Sequence, residues 1–176
     1  MNSYLESKSR YEILDGLRGV AALVVVFYHL MECYPPQYTG LFFAHGYLAV
    51  DFFFALSGFV IGYASDDRWN KMSLKDFFKR RIARLHPMVI FGVLVGVCFF
   101  YYTGGTELFS KVDGAAWWMV LFQAFLLMCM IPLPSSMDIR GWGELTSVNG
   151  PIWTLMFEYA ANIFYALVLR YLPKIG

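Results

Sequence analysis

Two ionisable side chains stand where an uncharged run should exclude them. Arg18 immediately precedes the stretch from Gly19 to Met31, and His29 lies inside it, within LDGLRGVAALVVVFYHLMEC at 14–33. A charged or titratable group in a membrane-length apolar stretch is costly, which makes it a functional candidate by default. In a helix their eleven-residue spacing amounts to about three turns and 20°, with an axial separation of about 16 Å. Both would therefore lie on nearly one stripe. A guanidinium recognises phosphate bidentately, and an imidazole titrates near working pH and can take a proton from a hydroxyl. The plainer readings are a snorkelling anchor for Arg18 and a packed core residue for His29.

Two carboxylates and a basic stretch join them. Asp51 falls ten residues into LFFAHGYLAVDFFFALSGFVIGYA at 41–64, where it is expected to orient or charge-stabilise His29, or to hydrogen-bond a neighbouring helix. Glu158 lies within PIWTLMFEYAANIFYALVL at 151–169, another intramembrane carboxylate that calls for a site or a buried ion pair. The segment SDDRWNKMSLKDFFKRRIARLHP at 65–87 gathers Lys79, Arg80, Arg81 and Arg84. It reads either as a positive-inside loop drawn to anionic lipid or, with Arg18, as a cradle for phosphates. His45 and His86 are read as structural, and Gly46, Gly58 and Gly62 as sites of close helix packing. Cys33, Cys98 and Cys129 form no pair motif, so neither a disulfide framework nor a metal site is expected.

The elements that must position these groups are transmembrane. Of 176 residues, 59% are hydrophobic, 19% aromatic and only 15% charged, with mean hydropathy +0.51. A soluble domain keeps about a quarter of its residues charged. A net charge of +1 gives no reason to expect nucleic acid as a partner. The pattern predicts an all-α, polytopic helix bundle with about five spans, at about 16–34, 41–64, 88–102, 115–132 and 151–169. Tyr34-Pro35-Pro36 should stop the first, and the third should begin just after Pro87. Lys8 and Arg10 precede the first apolar run, yet MECYPP offers no cleavage pattern, so it reads as a retained helix rather than a signal peptide. With the basic loop cytoplasmic, the N-terminus is cytoplasmic too and His29 lies towards the outer half.

Four stretches then resemble one family, in order and over nearly the whole chain. They are LDGLRGVAALVVVFYHL with its Arg-x10-His spacing, GYLAVDFFFALSGFVI, FFKRRIARLHP, and PIWTLMFEYAANIFY. Together they resemble the acyltransferase 3 family of multi-pass membrane O-acyltransferases. Thr154 stands where that family usually has serine, and an alanine pair follows shortly after Glu158. Family members carry more spans over a longer chain, so residues 1–176 resemble a single truncated domain, the N-terminal half. The resemblance implies acyl transfer, chiefly of acetyl, from cytoplasmic acyl-CoA to a hydroxyl on a carbohydrate or glycolipid acceptor, in a bacterial inner membrane. It implies that Arg18 and His29 are needed for activity, His29 as base for the acceptor hydroxyl or as transient acyl carrier. Asp51 and Glu158 complete the catalytic set, and Lys79, Arg80, Arg81 and Arg84 join Arg18 as coenzyme A phosphate contacts. Two other readings remain. One is a proton-coupled transporter relaying through His29, Asp51 and Glu158, although no repeated halves are visible. The other is an inactive membrane fragment.

Overall fold

The computed structural model describes residues 11–32, 45–104 and 109–172. The N-terminal tail to residue 10, Cys33, the Tyr34-Pro35-Pro36 stop, the Gln37–Gly40 connection and the first residues of the expected second span lie outside them. Within the described residues every regular element is helical: α1 (Glu12–Glu32), α2 (Leu48–Ser65), α3 (Leu74–Phe99), α4 (Trp117–Met128) and α5 (Trp153–Leu167), with short 3-10 turns between. Four helical stretches, Glu12–Met31, Leu48–Ser65, Leu74–Thr103 and Gly150–Tyr171, are long and apolar enough to cross a membrane. The described residues are all-helical, and the chain is an integral membrane protein.

Two element boundaries differ from the expected ones, each for a physical reason. The third span does not start after Pro87, because α3 starts at Leu74 and runs through the proline. A reciprocal cap begins it: Ser73 Oγ accepts from the Asp76 amide at 3.2 Å, and the Asp76 carboxylate accepts from the Ser73 amide at 3.3 Å. Pro87 deprives the Ala83 carbonyl of its intrahelical donor. Both residues lie on the exposed face, while Leu85, Val89 and Val93 hold the other face by burial. The basic stretch is thus the first half of a helix rather than a loop.

The expected span at 115–132 shortens to α4, 12 residues or about 18 Å, against a hydrocarbon core of about 30 Å. Its end is a Schellman turn in which Ile131 N–H donates to Leu126 at 3.0 Å and Met130 N–H to Leu127 at 2.9 Å. Met130 takes the left-handed position, φ 57°, that glycine usually fills. Nothing in an apolar methionine announces that stop.

The chain divides into two compact units. One comprises the described residues up to Met72 together with those from Phe164 onward; the other is Ser73–Ile163. In the first, α1 and α2 form an antiparallel hairpin. Tyr11 packs on Phe59 and Tyr63, ring centroids 6.0 and 5.0 Å apart. At the other end Gly46 meets Tyr28 so closely that an added Cβ would lie 2.6 Å from Tyr28 Cβ. Gly58, by contrast, has nothing within 4 Å, and Gly62 only the Asp66 carboxylate at 4.0 Å, so of the three glycines only Gly46 serves close packing. Tyr165 donates its hydroxyl to Asp66 and accepts from Trp69 Nε1 at 3.2 Å.

The second unit has a continuous core of Val89, Val93, Phe100, Val112, Val120, Ala124, Leu127, Ile139, Val148 and Ile152. It is also cross-linked by polar groups. Asn149 Nδ2 donates to the Gly92 carbonyl at 2.7 Å, and a Cβ on Gly96 would lie 2.6 Å from the Val148 carbonyl oxygen.

Candidate functional site

In the first unit, the packed face of α1 runs through Leu14, Arg18, Ala21, Val25 and Tyr28, with Val24 and Met31 along its other edge. At about 100° per residue, Arg18 and His29 lie along one edge of this face. Arg18 is half-buried and His29 exposed, with the His29 ring set edge-on to Tyr28 at 5.4 Å. Since Tyr28 is the residue that Gly46 abuts, the contact that closes the hairpin also seats the residue beside His29. His45, next to Gly46, pairs its Nδ1 with the Tyr47 hydroxyl at 3.1 Å. A second imidazole therefore stands at this end of the hairpin, one that spacing alone did not single out.

Asp51 is not where a continuous span from 41 would put it. Because α2 begins at Leu48, Asp51 falls in its first turn, where a carboxylate is favoured by the unpaired amides and the helix dipole. It is exposed. Five residues beyond the Gly46–Tyr28 contact, it stands about 8 Å along the hairpin from that level.

In the second unit, the four candidate cations on α3, which also carries Lys75, separate into distinct environments. Arg80 and Arg84 share an exposed stripe, being four residues apart on the helix. Arg81 is buried, 9% exposed, with its guanidinium 5.4 Å from the centroid of the Phe77 ring. Lys79 is exposed and about 140° around the axis from Arg84.

Further along, His86 Nδ1 meets the Tyr159 hydroxyl at 3.3 Å, joining α3 to α5 across 73 positions of sequence. The rings stand edge to face, 6.5 Å apart. Glu158 is half-buried beside Tyr159, and its carbonyl accepts from Asn162 Nδ2 at 2.7 Å. The sequence alone reads His86 as structural and singles out neither Tyr159 nor Asn162.

The segment between α4 and α5 is ordered around one carboxylate. Asp138 accepts from the amides of Arg140, Gly141 and Gly143 at 2.8, 2.9 and 2.7 Å and from Ser147 Oγ at 2.8 Å. Burial pushes this carboxyl up, but the four donors outweigh burial and hold it below its ordinary value. Gly141 and Gly143 have φ of +104° and +72°, which side chains resist and which let successive amides turn towards one acceptor. Arg140 lies over Phe100 and Phe109 at 5.7 and 5.1 Å. Burial lowers its guanidinium pKa, against the opposing pull of Glu144 and Asp138. An acid followed by two glycines within five residues was the available signal.

Comparison with known proteins gives this arrangement its family. The acyltransferase 3 family model, described as an acyltransferase domain, matches residues 11–176. The chain is 33% identical over 166 residues to Protein 2 in picA locus of Rhizobium radiobacter, covering 89% of this chain and 81% of that protein. It is 30% identical over 177 residues to Acyltransferase MdmB of Streptomyces mycarofaciens, covering 94% of this chain but 41% of that one. With O-acetyltransferase OatA of Staphylococcus aureus it shares 36% identity over 89 residues, 49% of this chain and 13% of OatA. No solved structure matches it. The matched region contains α1 to α5 with Arg18, His29 and Glu158, and the chain belongs to the acyltransferase 3 family.

Proposed function

We propose that this protein is a membrane O-acyltransferase that moves an acyl group, chiefly acetyl, from acyl-CoA to a hydroxyl of a carbohydrate or glycolipid. The observation that carries the reading is the Arg18–His29 edge of α1. It sets one permanent cation and one titratable base about three helical turns apart on a span-length apolar helix. The family match and the names of MdmB and OatA support the reaction class.

In the proposed reaction, neutral His29 accepts the proton of the acceptor hydroxyl as its oxygen attacks the thioester carbonyl. A carbon–oxygen bond forms, the carbon–sulfur bond breaks, and the proton passes to the departing thiolate. Arg18 contributes a bidentate anion contact, and Arg80, Arg81, Arg84 and Lys79 are assigned to phosphates of the donor. Glu158 is assigned a catalytic role as the carboxylate of α5. Asp51 is assigned the start of α2, which the hairpin around His29 depends on. The basic half of α3 is proposed to face the cytoplasm of a bacterial cell, with the N-terminus on the same side.

The test is acyl transfer from labelled acetyl-CoA by membranes carrying the chain, with Arg18→Ala alongside. The expected result is labelled lipid or glycan, with the KM for acetyl-CoA raised in Arg18→Ala and kcat less affected. An unchanged KM would remove Arg18 from the donor site.

A further inference from the structure

The proposed role of Glu158 raises the question of what fixes its direction. Its neighbours on α5 place it at a boundary. Phe157 is 59% exposed, Asn162 only 1%, and Glu158 itself is half-buried. Adjacent residues on a helix point about 100° apart, so a small rotation of α5 about its axis decides whether this carboxylate stays among the helices or turns away from them. Apolar packing resists such a rotation without prescribing a direction, whereas a hydrogen bond is directional. The C-terminal end of α5 has such contacts at Tyr165, and beside Glu158 His86 supplies one.

We propose that His86 is a positioning residue for Glu158, acting through Tyr159. The contact from His86 Nδ1 to the Tyr159 hydroxyl, 3.3 Å, pins the residue next to Glu158. Asn162 Nδ2, donating to the Glu158 carbonyl at 2.7 Å, holds the same turn from within. The position of His86 suits this task. It immediately precedes Pro87, where α3 loses one backbone hydrogen bond. Beyond the proline, α3 is secured by Asn149 on the Gly92 carbonyl and by the close approach of Gly96 to Val148. The His86–Tyr159 contact sets the register of α5 on the near side of that weak point. A polar pair in an apolar setting must be satisfied internally, which makes its geometry specific.

This inference rests on the proposed catalytic role of Glu158 only for its effect on turnover; the placement itself is tested apart from activity. Membranes holding the full chain are treated with a hydrophobic carbodiimide, which modifies carboxyl groups in apolar surroundings, and labelling rates of Glu158 and Asp51 are followed in the same molecules. Glu158→Gln identifies the Glu158 adduct. Tyr159→Phe, which removes only the hydroxyl, and His86→Leu are expected to change the Glu158 rate several-fold while Asp51 keeps its rate. His86→Asn, which retains a hydrogen-bonding group near the Nδ1 position, is expected to restore it. In transfer assays the same variants should lower kcat with the KM for acetyl-CoA unchanged. A Glu158 rate unaffected by Tyr159→Phe, or one that moves in step with Asp51, would overturn the proposal. Full transfer by Glu158→Gln would instead remove the catalytic role of that carboxylate, and the labelling rates would still decide whether His86 places it.

Discussion

The α1–α2 hairpin and the Ser73–Ile163 unit are held in opposite ways. Along α1, Leu23, Val26, Phe27 and Leu30 are exposed, and Ala21 is its buried hydrophobic residue. Its ties to α2 are aromatic contacts at one end and the Gly46–Tyr28 approach at the other. The second unit buries a ten-residue apolar cluster and fastens its ends with Asn149, Gln123 and Asp138. The candidate base therefore stands on the thinner element, beside the Gly46–Tyr28 approach. The cations and Glu158 stand on the braced one. A hairpin with large exposed apolar side chains is stable when lipid or further helices cover it, which water could not replace.

Substituting glycines separates the two regions most sharply. Gly96→Ala forces a methyl to 2.6 Å from a backbone oxygen, and overpacking of this kind costs about 1–3 kcal/mol. Gly19→Ala on α1 meets nothing within 4 Å and should stabilise the helix by about 0.5–1 kcal/mol. Thermal unfolding in detergent should move in opposite directions for the two. Equal shifts would mean that the second unit is no tighter than the hairpin.

Next in size is the Asp138 hub. Asp138→Asn turns an acceptor of four hydrogen bonds into a group that must present a donor to some of them, at about 1–3 kcal/mol. The pH dependence follows from its lowered pKa. The stabilisation is complete above the ordinary value of 3.8 and is lost as pH falls through the lower folded value. Acid titration of the wild type should expose 133–150 to protease below about pH 4, whereas Asp138→Asn should be cleaved there at neutral pH as well.

Gly46→Ala asks whether the hairpin contact matters to chemistry. Its added methyl meets Tyr28 Cβ at 2.6 Å, so transfer should fall about tenfold or more, as small misplacements of catalytic groups do. Protease resistance of residues 73–163 should be unchanged. Smallest is Asp51→Asn. An exposed first-turn carboxylate contributes about 0.3–1 kcal/mol, and transfer should fall by only a small factor. A loss equal to that from removing His29 would restore the direct pairing of the two residues.

Much of this was legible because membrane helices obey few rules. Runs of apolar residues gave the all-helical class, and the Arg18–His29 spacing gave a shared stripe that α1 retains. What stayed hidden depended on contacts across the chain. Pro87 looks like a helix stop when read locally, but Val89 and Val93 on the packed face carry α3 past it. Met130 gives no hint of a left-handed turn. No apolar break announces the start of α2 at Leu48, which puts Asp51 in a first turn. His86 needed Tyr159, 73 positions away, before it had a partner.

The central claim is that His29 is the base on this stripe. The most direct test compares acyl transfer from labelled acetyl-CoA in membranes holding wild type and His29→Ala at equal, verified insertion. Loss of a positioned general base lowers the rate by about 10²–10⁴-fold, so product should fall at least that far while acetyl-CoA binding persists. Equal product from the two would contradict the account.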